Sequence, residues 1–391
     1  MLLFRYNKNN LILTKYSLTE SIKTENYREI HMIINEEIFK SFCRARNLSD
    51  GSVKVYSHAL SKYTIFNGMT LSELLDEADN EEEDGVRWKR RTLKNRLIDF
   101  RNYLIDYGYA KETINTMMKR VTTFYRHYEI EIHHLPRANI QSHVEIRIPT
   151  REELQGAVES SKPLMKAILL FLASSGMSKV DCLKLTIQDF ISATSEYHNS
   201  NDINEVMTIL NNRTDVIPTF PLTRTKTNKF HYTFCSPEAT TAILNYLYSR
   251  TDNITPTTPL FKVSYHWLNI KFEDLNTNLG LGVTDGNNYA ILRCHTLRKY
   301  HATTLRDDGL SIDIINSLQG KAKNKVDAAY YVDTPEKLKA MYEEHVNCLY
   351  ILDTNKYRTE NEVLKEENKE YKAREDKINS ILDRLDKLEK M

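Results

Sequence analysis

Lys179, Lys226, His295, Arg298, Lys321 and Tyr330 are side chains of the kinds that act on phosphate esters. A phosphodiester undergoing displacement spreads negative charge over its non-bridging oxygens, and a guanidinium fork, an ammonium and an imidazole can each donate to it. A phenol is a weak nucleophile at neutral pH, yet it forms a covalent ester once a base and nearby cations lower the cost of the phenolate. His295 and Arg298 stand three apart in His295-Thr-Leu-Arg298-Lys-Tyr-His-Ala-Thr-Thr304. A helix over Thr296 to Leu305 therefore places them on one face, with Leu297 and Leu305 free to anchor it in a core. Tyr330 follows Lys321 by nine residues; in a chain with 23 tyrosines, only this register singles it out.

The elements that must position these groups are legible around them. Lys226 falls in Arg224-Thr-Lys226-Thr-Asn-Lys-Phe-His-Tyr-Thr-Phe234, two β-rich runs joined by Thr227-Asn228-Lys229, after which Ser236-Pro-Glu238 opens a helix. Pro163 to Leu185 reads as an apolar helix, a Ser175-Gly176 turn, and then Asp181 five residues after the glycine. Upstream, Thr150-Arg-Glu-Glu153 has the form of a capping box.

In this order the motifs resemble the active-site half of the tyrosine recombinase, or phage integrase, family. The resemblance implies that Tyr330 attacks a DNA phosphate, leaving a 3′-phosphotyrosyl ester and a free 5′-hydroxyl, with no metal, ATP or other cofactor. It implies that Lys226 protonates the leaving 5′ oxygen and that His295 and Arg298 hold the phosphate. Two positions depart from the pattern. Where the family has an arginine two or three residues after the glycine, this chain has Ser178 and Lys179; the role is assigned to Lys179, which brings charge without the planar two-pronged grip. Where the family has histidine or tryptophan after the second glycine, this chain has Lys321. Tyr331 is the alternative nucleophile. The run Val326 to Leu338 resembles the nucleophile segment of archaeal and archaeal-virus integrases carried by mobile elements. Two other readings stay open: a catalytically impaired relative acting as an architectural or regulatory DNA-binding protein, and a type IB topoisomerase-like enzyme.

The fold expected is mainly α with a small β-hairpin. Residues 1 to 34 form a polar extension, within which Met32 is a second possible start. Residues 35 to 135 are a helical, SAM-like core-binding domain, and 136 to 149 a linker with two prolines. Residues 150 to 352 are the catalytic domain of DNA breaking-rejoining fold, and 353 to 391 a tail with heptad spacing at Tyr357, Leu364, Tyr371, Ile378 and Leu385. Within the catalytic domain, the polar stretch Ser192 to Val216 reads as an insertion. The tail reads as a self-association element or, equally, as a lone helix folded against its own domain, and the family resemblance implies a homo-oligomer, a tetramer on double-stranded DNA.

A net charge of +1 alone does not mark a nucleic-acid binder, but its distribution is uneven. The acidic run at 76 to 84 is followed by Arg87, Lys89, Arg90, Arg91, Lys94 and Arg96, which on a helix from Val86 to Tyr107 form a stripe for DNA phosphates. The five cysteines have no metal-ligand spacing, and no stretch resembles a secretory signal or a membrane span. A cytoplasmic protein working on chromosomal or viral DNA, with no metal, is expected.

Overall fold

The structure, a computed structural model, describes residues 33–135, 147–283, 289–321 and 334–352. The chain divides into two compact units, Met1–His143 and Val144–Met391. Residues 1–32, most of the segment read as a linker, the heptad tail and the run carrying Tyr330 and Tyr331 lie outside the described residues.

The first unit is helical: α1 (Glu37–Ala45), α2 (Asp50–Asn67), α3 (Leu71–Glu83), α4 (Thr92–Asp106) and α5 (Lys111–His127). Thr70 and Glu73 close a reciprocal capping box at the start of α3, satisfying donors that a bare helix end leaves open. Phe39, Phe42, Leu60, Tyr63, Leu97, Phe100, Val121 and Phe124 fill one core, as their helical spacing predicts.

The basic helix differs from its expectation. A 3-10 turn spans Trp88–Arg90, Arg91 is extended, and the helix begins only at Thr92. The cause is the acidic run itself, which folds back on the basic one. The Glu81 carboxylate accepts the Thr92 N–H at 2.6 Å, capping α4. Arg91 donates to the Val86 carbonyl at 2.9 Å and to Glu82 at 3.0 Å, while Arg96 grips Glu77 with two nitrogens at 2.6 and 3.0 Å. Arg87, Lys89 and Arg90 remain exposed and Lys94 is half-buried, so the six cations do not form one continuous stripe.

The second unit is built around α7 (Pro163–Ser175), which follows α6 (Arg151–Glu159). Ile168, Leu169, Leu170, Phe171 and Leu172 are all 1% exposed or less, so α7 is apolar on every side and must sit in the middle of its domain. Each such side chain contributes about 1.5–3 kcal/mol relative to exposure. A single helical turn α8 (Lys179–Cys182), then α9 (Ile187–Ala193) and α10 (Ile203–Asn211), lead to the hairpin β1 (Thr219–Arg224) and β2 (Lys229–Phe234). Its register pairs Thr219 with Phe234 and Arg224 with Lys229. An isolated two-stranded hairpin is marginal in water; this one is held at its base by Phe220 in the main core and Phe234 against Tyr342, ring centroids 5.4 Å apart. Then come α11 (Pro237–Tyr248), α12 (Tyr265–Asn278), α13 (Cys294–Asp307), α14 (Ile312–Leu318) and α15 (Pro335–His345). The stretch read as a polar insertion holds α10, whose Ile203, Val206, Met207 and Leu210 are buried in the main core.

Candidate active site

An open cleft of about 710 Å³ in the second unit gathers side chains from four places in the sequence. Ser178 and Lys179 come from the turn after α7, Arg224 and Lys226 from the hairpin tip, Tyr265, Asn269 and Glu273 from one face of α12, and Arg293, His295 and Arg298 from the start of α13. Among the described lining residues Glu273 is the only carboxylate, against the cations Lys179, Arg224, Lys226, Arg293 and Arg298. The helix α13 adds the positive end of its dipole.

Each group is placed by an identifiable local cause. Helix α13 starts where the Thr296 hydroxyl accepts the Arg293 N–H at 3.0 Å and donates to the Ile291 carbonyl at 2.6 Å. It runs from Cys294, two residues earlier than its apolar pattern suggests, and Leu297 and Leu305 are fully buried as expected. Arg298 is 9% exposed and donates to the Gly176 carbonyl at 2.6 Å and the Gln319 carbonyl at 2.5 Å. Gln319 returns a bond, its amide donating to the Arg298 carbonyl at 2.9 Å. Gly176 has φ +60°, and a Cβ there would lie 2.5 Å from the buried ring of His301, so the turn has no room for any other residue.

Lys226 is exposed at the hairpin tip. Asp181 holds that tip: Oδ1 accepts the Thr225 N–H at 3.0 Å and Oδ2 accepts the Ser178 hydroxyl at 2.6 Å. The acidic residue five after the glycine is thus a link between the first turn and the lysine turn. Burial works to raise the Asp181 pKa, but the bonds from Ser178 and Thr225 and the nearby His231 outweigh it, leaving the carboxyl below its ordinary value. Lys179 is committed to the cleft wall, its ammonium 2.5 Å from Asn269 Oδ1 and 3.4 Å from the centre of the Tyr265 ring.

Burial and then cationic crowding lower the proton affinity of His295, Arg298 and Lys321. Burial, then Arg224, lowers Arg298 to about 10, a depression only partly offset by Asp181. His295 is lowered by desolvation and by Lys299, Arg293, Arg298 and Lys321, which favours its neutral form at pH 7. Lys321 is lowered by burial and by Arg298 and Arg224; it is half-buried, and its carbonyl accepts the Lys229 ammonium at 2.8 Å.

The structure therefore brings Lys179, Lys226, His295 and Arg298 to one cleft; Lys321 is not among its lining residues but interacts electrostatically with His295 and Arg298, and Tyr330 lies outside the described residues. Sequence reasoning passed over Arg224, Arg293, Tyr265 and Asn269. Arg224 alternates with Lys226, the only local hint of its position; the α12 pair carries no local signal. Among the described residues no group of His, Cys, Asp or Glu is arranged to hold a metal ion, and no helix is long and apolar enough to cross a membrane. The five thiols are unpaired.

No family model matches this chain, and no curated protein matches it. Solved structures do align with it. A XerH site-specific recombinase bound to palindromic difH substrate in a post-cleavage complex aligns with TM-score 0.47 and 15% identity, over 77% of this chain and 82% of that one. A Tn1549 transposon integrase in complex with transposon right-end DNA gives 0.47 and 12%, over 79% and 98%. A lambda integrase dimer bound to a COC′ core site gives 0.41 and 16%, over 68% and 80%.

Proposed function

We propose that this protein is a site-specific DNA recombinase, of integrase type, that cuts and rejoins double-stranded DNA through a 3′-phosphotyrosyl intermediate. The observation that carries the reading is the convergence of Lys179, Lys226, His295 and Arg298 on one cleft whose described lining holds a single carboxylate. Such a cleft favours a bound anion and the greater charge that develops on a phosphate in displacement. Tyr330, assigned by spacing, attacks phosphorus with its phenol oxygen and gives up its proton to a neutral base, for which His295 is suited. The P–O5′ bond breaks, Lys226 supplies a proton to the departing oxygen, and Arg298 holds a non-bridging oxygen. Water or a free 5′-hydroxyl on a second strand decides between hydrolysis and rejoining, so a partner duplex belongs to the reaction. The heptads of residues 353–391 support self-association, and the Val326 to Leu338 run supports an integrase of archaeal type.

One observation favours a second reading, a DNA-binding relative that does not cleave. Lys179 stands where an arginine is expected, and its ammonium is occupied by Asn269 and Tyr265. Covalent trapping separates the two. The protein is incubated with nicked duplexes tiling its own flanking DNA and then denatured. A protein-linked band that Tyr330→Phe abolishes is expected; tight binding with no linked product would replace the recombinase with the architectural protein.

A further inference from the structure

Arg224 makes one bond, from Nη1 to the Gly320 carbonyl at 3.1 Å, while its Nε is buried without a hydrogen-bond partner among the described residues. Arg298 bonds the carbonyl of the preceding residue, Gln319. Carbonyls of consecutive residues are a few ångströms apart, so the two guanidiniums are held as neighbours at the floor of the cleft. Among the described residues neither has a carboxylate within ion-pair distance; the nearby acid, Asp181, has its oxygens on the Ser178 hydroxyl and the Thr225 N–H. Two like charges side by side, with an unused N–H donor turned from water, form a place that an anion completes.

We propose that Arg224 is a direct ligand of the scissile phosphate, forming with Arg298 the paired guanidinium grip for which the turn after Gly176 has no arginine. The second fork enters from the hairpin, and Lys179 is released from that duty to hold the cleft wall through Asn269 and Tyr265. Arg224 and Lys226, two residues apart across one end of the hairpin, then serve one phosphate, the first on a non-bridging oxygen and the second on the leaving oxygen. This inference rests on the reading of the cleft as a phosphodiester site.

The test uses the full chain in two assays, with Arg224→Gln, Arg224→Lys (which keeps charge but removes the fork) and Arg306→Gln as an exposed charge control. In the first, inorganic phosphate is titrated while the unfolding midpoint is followed, since a ligand of the folded state raises it by mass action. The expected result is apparent phosphate affinity weakened about tenfold or more in both Arg224 variants and unchanged in the control. In the second, covalent trapping on nicked duplex slows about a hundredfold or more in Arg224→Lys, the size expected for loss of one preorganised donor. A lowered midpoint with an unchanged phosphate response would reduce Arg224 to a brace for the Gly320 carbonyl and overturn the inference. Trapping at the wild-type rate in Arg224→Lys overturns it too, and leaves the recombinase standing. Phosphate binding that depends on Arg224, with no covalent product even from the wild type, keeps Arg224 as an anion ligand and removes the recombinase.

Discussion

Gly176 and Gly320 are the two glycines among the backbone positions that hold the cationic floor. Each adopts φ +60°, each lies under a buried imidazole, His301 and His231 respectively, and each offers its carbonyl to an arginine. Alanine at either position meets two penalties, the left-handed backbone and a Cβ within 2.7 Å of the ring, so neither neighbour can relax cheaply. Gly176→Ala should lose about 2–4 kcal/mol of stability by chemical denaturation, combining backbone strain with overpacking. An exposed left-handed glycine such as Gly108, with open space around it, should lose only the backbone part. Equal losses at the two sites would mean that the His301 contact carries no weight.

At the scale of elements, α11 and the end of the described chain are joined by a buried carboxylate. Glu238 accepts the Ile351 N–H at 2.9 Å and the Leu352 N–H at 3.2 Å. Burial raises its pKa to about 7, with those bonds and Arg151 pulling in the other direction. The folded state therefore holds this proton more tightly than the unfolded chain does. The associated stability is full below about pH 4.5 and is lost as pH rises through 7, by up to about 3 kcal/mol. Unfolding free energies of wild type and Glu238→Gln between pH 5 and 8 should diverge in that sense; parallel profiles would exclude Glu238 as the titrating group. Local patterns revealed much at this scale. The i, i+3 pair His295 and Arg298, the capping box at Thr150 and the hairpin around Lys226 are short-range signals, and each element forms where its signal lies. What escaped is long-range. Lys179 meets Asn269 ninety residues on, and the partner carbonyl of Arg224 is 96 residues away. Helix α10 escaped for a different reason: its apolar residues at 203, 206, 207 and 210 have helical spacing, but the asparagines around them gave the stretch a loop-like composition.

At the scale of the molecule, the acidic run at 76 to 84 and the basic run after it look like two separate blocks in sequence and are partly one neutralised assembly in space. This divides five of the six basic residues by consequence. Removing Arg87, Lys89 or Arg90, all exposed, should lower the salt dependence of DNA binding by just under one counterion each, with little change in stability. Removing Arg91 or Arg96 should instead lower stability by about 1–3 kcal/mol and leave the salt slope nearly unchanged, because each leaves a half-buried carboxylate without its guanidinium. Binding isotherms at several salt concentrations, set beside denaturation curves, check both halves; a uniform slope change across all five would restore the continuous stripe.

The acceptors chosen by the arginines bear on the timing of binding. Arg91, Arg96, Arg213 and Arg250 face carboxylates, whereas Arg298 and Arg224 are held in place by the main-chain oxygens of Gly176, Gln319 and Gly320. A guanidinium held by a carboxylate is already neutralised, and an incoming anion must wait for that pair to part. One held by peptide oxygens is oriented yet keeps its whole charge. Among the described residues these two guanidiniums thus have no paired carboxylate for an anion to displace, and association with them is set by diffusion and ionic strength rather than by the breaking of an ion pair.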